Sequence, residues 1–311
     1  MTGFLLQLVL VAAGAPLLVG VMRQVRARLE GRAGAGILQP WRDLRKLARK
    51  EPVTAHDAGF AFGAAPLVLA GTALVVAAVV PLVSAASPLD DMADLFAVTA
   101  LLALGSVALA LGGIDTGTAF GGMGASREVT VLALAEPTIL LSVFALSVRV
   151  GTTNLGAIVT ATAGSPFSVI SPVSLLAAVA LAVVTLAEMG RIPVDNPATH
   201  LELTMIHEAM TLEYSGPDLA LIEWASAMRL TVMLGLLASL FAPLGIATAG
   251  AGPLALAVGA LAFAVKVTLI GAALAAGEVF MAKLRLFRIP ELLAGSFLMA
   301  LLAVAASFFL A

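Results

Sequence analysis

The 311 residues include no cysteine. That excludes disulfides, thiolate-bound iron–sulfur clusters, a thiolate-held nickel–iron centre and a thiol nucleophile from this chain. It leaves the compartment open, since a chain without thiols suits any redox environment. Charge is scarce too: Asp, Glu, Lys and Arg make up 12% of the residues, with a formal net charge of −2 and a pI near 5.9. That balance argues against a nucleic-acid partner. What is abundant is hydrocarbon: 61% of residues are hydrophobic and the mean hydropathy is +1.08, well above the ~45–50% apolar usage of soluble domains. Such a chain cannot hide its apolar surface in a core of its own, and it reads as an all-α polytopic membrane protein.

A helix rising ~1.5 Å per residue needs about 20 apolar residues to cross a hydrocarbon core of ~30 Å. Eight segments qualify: Gly3–Met22, Phe60–Ser84, Leu95–Gly113, Val129–Val150, Pro172–Met189, Ala225–Leu240, Pro253–Gly277 and Glu291–Leu310. The first is no signal peptide, because Arg23, Arg26, Arg28 and Arg32 follow its apolar run instead of preceding it. Alternate assignment puts fourteen Lys and Arg in the loops at about 23–59, 112–128, 190–224 and 278–290, and only Arg149 in the opposite loops. The positive-inside rule then makes those four loops cytoplasmic and leaves both termini outside. Internal repeats are not evident, which weakens an inverted-repeat transporter. The Gly-, Ser-, Thr- and Pro-rich 151–171 stretch is linker-like but too short to divide domains, so 1–311 reads as one membrane domain.

Polar residues in so apolar a chain need reasons. QPWRDLRKLARKEP (Gln39–Pro52) reads as a short amphipathic helix on the cytoplasmic surface, with Trp41, Leu44, Leu47 and Ala48 at helical spacing and Arg42, Arg45, Lys46, Arg49 and Lys50 around them. It suits anionic lipid and a docking partner alike. Lys266 lies ~16–20 Å from either end of its span, too deep to snorkel, and should face a carboxylate or a watery cavity. Glu136 precedes Pro137, whose missing N–H loosens a turn; it either exchanges protons or bonds a neighbouring helix. Glu188 and Arg191 suit a local pair, and Glu278 suits the interface. Ser126 suits the cap of the fourth helix, with Glu128 in its first turn.

The densest cluster spans residues 188–223, where seven acids (Glu188, Asp195, Glu202, Glu208, Glu213, Asp218 and Glu223) join Arg191, His200 and His207. A metal site, a solvated loop and a docking or proton-handling surface compete for it. His200 and His207 are seven apart, whereas zinc motifs space their pair by about three to five and add a third ligand. No metal ligand set follows. Interleaved Leu201, Leu203, Met205, Ile206, Met210 and Leu212 fit a segment packed between membrane helices and a partner.

Four stretches in order, GRAGAGILQPWRDLRKLARKE, DTGTAFGGMGASRE, AEMGRIPVDNPATHLELTMIHEAMTLEYSG and AKLRLFRIPELL, resemble the eight-helix membrane subunit shared by two kinds of complex. One is respiratory complex I, the NADH-quinone oxidoreductase, in which it is subunit 1; the other is the membrane-bound energy-converting nickel–iron hydrogenases, including formate hydrogenlyase. The resemblance implies that the first and the acidic loops seat a hydrophilic arm made of a large subunit and an iron–sulfur small subunit, beside antiporter-like membrane subunits. Iron–sulfur clusters, and nickel–iron in the hydrogenase branch, would sit in those partners, with no cofactor on this chain. It also implies that acids at Glu136, Glu188, Asp195, Glu202 and Glu213 line a polar path linking redox chemistry to H⁺ or Na⁺ movement; Glu128, Glu208 and Lys266 are further candidates. Docking falls to Trp41, Arg42, Asp43, Arg45, Lys46, Arg49, Arg191 and Tyr214. The quinone-reducing branch typically reads R-x-P-F-D-L-P-E-A-E-x-E-L, and here Ala198 and His200 replace two of its acids and Val194 its Phe. The hydrogenase branch is therefore favoured, with complex I as the alternative. A stand-alone transporter is more distant, and a prenyl-transfer enzyme would need D-x-x-x-D motifs that the chain lacks.

Overall fold

The structure, a computed structural model, describes residues 2–85, 87–164, 171–196, 205–248 and 252–310. Among these it contains eleven α-helices and no strand beyond isolated bridges. They are α1 (Thr2–Leu29), α2 (Gln39–Leu47), α3 (Phe60–Val79), α4 (Leu95–Asp115), α5 (Ala119–Val150), α6 (Leu155–Gly164), α7 (Pro172–Glu188), α8 (His207–Thr211), α9 (Gly216–Phe241), α10 (Pro253–Phe280) and α11 (Ile289–Leu310). Seven are long and apolar enough to cross a membrane where eight spans were expected; α7, in place of the expected fifth span, is apolar but shorter, at 17 residues. This is a multi-pass, all-α membrane protein.

Among the departures from expectation, three have a clear local reason. The fourth span begins at Ala119, not Val129, and its cap is Thr118, whose hydroxyl accepts from the N–H of Gly121 at 3.3 Å. Ser126 therefore lies two turns inside the helix. The glycines behind that extension are contact surfaces: a Cβ on Gly121 would stand 2.1 Å from the carbonyl of Gly113, and one on Gly124 would stand 2.8 Å from Ala209. The sixth span starts at Gly216, so Asp218 and Glu223 ride on a helix that Pro217 opens. The linker-like 151–171 stretch holds α6, begun by Asn154, whose side-chain oxygen accepts from Ala157 N–H.

At the middle of the bundle α9 packs against α1, α3, α7 and α10. On one flank α4 bridges α3 and α5, and α11 closes against α5 and α7. The loops sort into two ends. At the acidic end, Gln7 of α1 is buried and donates to the carbonyls of Ala77 and Val80 while accepting from Leu82 and Val83 N–H, all within 3.2 Å. One amide thus satisfies the unravelled end of α3, groups that would be costly if left bare in lipid. At the basic end, Asp115 of α4 caps α3 by accepting from Phe62 N–H at 2.9 Å. The α1–α2 connection folds back so tightly that a Cβ on Gly20 would meet the Ile37 carbonyl at 1.9 Å.

That contact yields a test. Gly20→Ala must push the lead-in to α2 off α1, and overpacking of this kind costs about 1–3 kcal/mol. Gly63→Ala, with nothing within 4 Å of the new methyl, should stay within ~0.5 kcal/mol. Thermal unfolding of the purified variants measures both; equal midpoints would show that the close approach does not constrain the fold.

Candidate functional site

The most buried charges meet where α7 stops short. Glu188, the last residue of α7, accepts from Arg229 of α9 at 2.6 Å, and the same guanidinium nitrogen reaches Ser106 Oγ of α4 at 2.7 Å and the Leu102 carbonyl at 3.1 Å. Ser106 Oγ also donates to Glu188 at 3.1 Å. The exposures of Glu188, Arg229 and Ser106 are 1%, 4% and 0%. An unpaired charge at that depth costs at least ~2.5–3.5 kcal/mol, so the pair and its hydroxyl form a mutual requirement of three helices.

Around this pair the cluster continues. Glu128 of α5 is buried, and its Oε2 stands 3.3 Å from His207 Nδ1 at the start of α8. Neither atom has a hydrogen bond to another described group. Glu188 lies within the electrostatic reach of both. Asp195 is buried, ion-paired to Lys283 at 3.2 Å, and accepts from the N–H groups of Asn196, Ile206 and His207. It therefore fixes the position of His207 through the backbone. A cavity of about 590 Å³ opens beside these groups, lined by Arg23, Glu188, Arg191, His207, Glu208 and Arg229 among others.

The expected local pair of Glu188 with Arg191 is not formed. Arg191 faces Glu278 at 3.5 Å, and Glu278, expected at the interface, is 4% exposed. The correction has a physical cause: Glu188 points from a helix end into the bundle, whereas Arg191 lies past the turn at Gly190, where φ is +56°. Burial pulls the Arg191 guanidinium below its ordinary value, and Glu278 offsets part of that.

Other candidates lie apart. Glu136 is half-buried on α5, eight residues or roughly 12 Å beyond Glu128. Glu213 is exposed after α8. Lys266 faces no carboxylate among the described residues; its ammonium donates to the Ala242 carbonyl at 2.9 Å, at the C-terminus of α9 where the helix dipole favours a cation. Glu202 and His200 lie outside the described residues.

On the surface, Trp41, Arg42, Arg45, Lys46 and Arg49 are exposed on and just after α2, while Asp43 accepts from Gln39 and approaches Arg23 at 3.9 Å. Tyr214 and Arg191 are not on that face. Tyr214 is 4% exposed, donates to the Phe62 carbonyl at 3.0 Å and stacks on the Phe62 ring at 4.1 Å. Burial, aided by Asp218 and Asp115, raises its phenol above the ordinary value, so it remains a neutral donor. Ser215 beside it exchanges hydrogen bonds with both the N–H and carbonyl of Val53, at 2.8 and 2.9 Å. The first basic-end loop and the acidic loop are thereby one surface.

A family model described as NADH dehydrogenase matches residues 2–309. The chain belongs to this family. It is 35% identical to formate hydrogenlyase subunit 4 of Escherichia coli (strain K12) over 302 residues, 96% of each chain. It is 36% identical to hydrogenase-4 component C of the same organism over 244 residues, covering 78% of this chain and 75% of that one. Identity to NADH-ubiquinone oxidoreductase chain 1 of Triticum aestivum is 30% over 240 residues, 73% and 72% of the two chains. A chain in the structure of the membrane-bound sulfane sulfur reductase, an archaeal respiratory membrane complex, matches with a TM-score of 0.83 over 98% of both chains, at 22% identity. That last likeness speaks for the fold. The resemblance read from the four motif stretches is borne out.

Sequence reading placed Arg229 inside a span and gave it no role. The signal was present: an arginine inside an apolar helix demands a partner, and an acid on another helix was available in Glu188. The pair can be tested as a unit. Arg229→Met leaves a buried carboxylate unpaired and should cost about 3–5 kcal/mol, whereas Glu188→Met with Arg229→Met should recover most of it. Thermal midpoints of the single and double variants measure the coupling; a double variant no more stable than the single would remove the pair as the organising contact.

Proposed function

We propose that this chain is the membrane-anchoring, ion-coupling subunit of a multi-subunit hydrogenase- or formate-hydrogenlyase-type oxidoreductase. Identity supports the hydrogenase branch, because the likeness to formate hydrogenlyase subunit 4 runs over 96% of both chains while that to the plant NADH-ubiquinone subunit covers under three quarters. The quinone-reducing branch is the second reading, and Ala198 and His200 in place of its acids tell against it. With no cysteine, the chain leaves iron–sulfur and nickel–iron centres to a large and a small hydrophilic subunit. The basic end then faces the cytoplasm of a bacterial or archaeal cell, both termini lie outside, and antiporter-like subunits flank a single membrane domain.

One observation carries the reading: the exposed basic surface is joined by chain and hydrogen bonds to the buried ions. Ser215 ties the α2 loop to the acidic loop, and the same loop buries Asp195 and places His207 against Glu128. A redox arm seated on α2 and the acidic loop is thus one short segment from Glu188 and Arg229. Movement or charge at that seat changes the field at Glu128, Glu188 and Glu208, and H⁺ or Na⁺ exchange at these carboxyls passes it to the membrane. Lys266, at the far end of α9, is a candidate for the continuation of the path.

Two experiments separate anchoring from coupling. Reversing Arg45, Lys46 and Arg49 to Glu should release the soluble arm, so that salt-washed membranes lose redox activity while this chain stays in the bilayer; unchanged bound activity would refute the docking face. Glu128→Gln and Glu136→Gln should leave the complex assembled and turning over but lower the ion gradient per electron. If both variants form the full gradient, the coupling half of the proposal is wrong and anchoring alone remains.

A further inference from the structure

Beside α2 lies a second concavity that the ionic cluster does not use. It is a groove of about 710 Å³ between α2 and the first turns of α9. Its walls are apolar, from Leu38, Trp41, Leu44, Leu221 and Trp224, and its charged lining residues are Arg42 and Arg45. Both tryptophans of the chain are here. Their indole N–H groups are already used: Trp224 donates to the Ala12 carbonyl at 2.8 Å and Trp41 to the Ala13 carbonyl at 3.1 Å. Pro16 explains why the first of those carbonyls is available. It sits inside α1 without an N–H, so the Ala12 carbonyl four residues back has no helical partner, and the ring disturbs the adjoining turn. The indoles are therefore held in place and turn hydrocarbon, not donors, towards the groove.

The groove also has a defined depth relative to the membrane. Asp43 of α2 reaches Arg23, the first charged residue after the apolar run of α1, which sets α2 at the polar boundary. Ala12 and Ala13, where the indoles attach, lie ten or eleven residues further into α1, roughly 15 Å along the helix. The site is cationic at headgroup level and apolar below it to a depth of about one leaflet, half of a ~30 Å hydrocarbon core. Neither arginine has a carboxylate partner among the described residues, whereas Arg23, Arg191 and Arg229 all do.

We infer that the α2–α9 groove is a binding site for a single anionic phospholipid, its phosphate on Arg42 and Arg45 and one acyl chain between Trp41 and Trp224. This differs from diffuse attraction of a basic helix to a charged bilayer, because it names two of the five α2-region cations and a fixed apolar slot. A ligand with hydrogen-bonding ring oxygens is a poorer fit, since the depth of the groove offers no free donor.

The two tryptophans make the test direct. The full chain is placed in discs of zwitterionic lipid containing a small fraction of phosphatidylglycerol or phosphatidylcholine brominated midway along the acyl chain, and tryptophan emission is followed. Brominated phosphatidylglycerol should half-quench the emission at a mole fraction about fivefold or more below that of brominated phosphatidylcholine, given the typical contribution of one surface cation to anionic-lipid binding. The advantage should vanish in Arg42→Gln/Arg45→Gln, whose exposed side chains leave the fold intact, and persist in Lys50→Gln. Unlabelled phosphatidylglycerol should restore the emission. Equal quenching by the two lipids would overturn the site, as would an advantage that survives the double variant or falls equally in Lys50→Gln. Failure of unlabelled phosphatidylglycerol to restore the emission would show that the quenching lipid is not held in the groove and also overturn the proposal.

Discussion

A guanidinium and a carboxylate buried in the middle of an apolar bundle must find each other, and the Glu188–Arg229 pair is where this molecule meets that demand. The consequence reaches beyond two side chains. Arg229 is fixed by α9, Glu188 by the end of α7, and Ser106 by α4, so the contact sets the relative positions of three helices at one level. Apolar packing tolerates small sliding between helices; a buried ion pair with a shared hydroxyl tolerates much less, because breaking it strands a charge.

Four ion pairs stand out among the described residues. Glu188–Arg229, Glu128–His207, Arg191–Glu278 and Asp195–Lys283 are separate pairs. What joins them is charge acting between buried or half-buried groups, and a loop that carries members of three pairs within seventeen residues of sequence, from Arg191 to His207. In such a medium a proton gained or lost at one carboxyl alters its neighbours strongly. His207 sits at the junction of two of these pairs, since its imidazole faces Glu128 across 3.3 Å while its backbone N–H is held by Asp195.

The spans were legible because hydrophobic length is a local property, and the four motif stretches were legible because they hold spacing within single segments. The polar pairings were not. Glu188 and Arg191 sit three apart and invite a local bond, yet both chose partners on helices far along the chain, Arg229 and Glu278. Composition could say that an arginine in α9 needs an acid; it could not say which, because that depends on the depth at which α7 ends and on how α9 is rotated. Tyr214 failed as a surface residue for a similar reason. The acidic loop folds back under α3, and a Cβ on Gly112 would meet the tyrosine hydroxyl at 2.3 Å, so the space that receives the ring is set by a glycine a hundred residues away. Gln7 gave no signal at all, since a lone amide in an apolar run looks like noise until the broken end of α3 comes to rest beside it.

α2 is a partition with a different chemistry on each side. Pro40, Asp43 and Leu47 border the ionic cavity, Trp41, Arg42 and Arg45 border the apolar groove, and Leu44 touches both. A nine-residue helix has little stability of its own; its position comes from what it leans on, namely the Ala13 carbonyl that holds Trp41 and the tight approach at Gly20. An occupant of the groove therefore braces the wall of the ionic cavity without touching a charge in it, and a protein seated on Arg45, Lys46 and Arg49 presses on the same wall from outside.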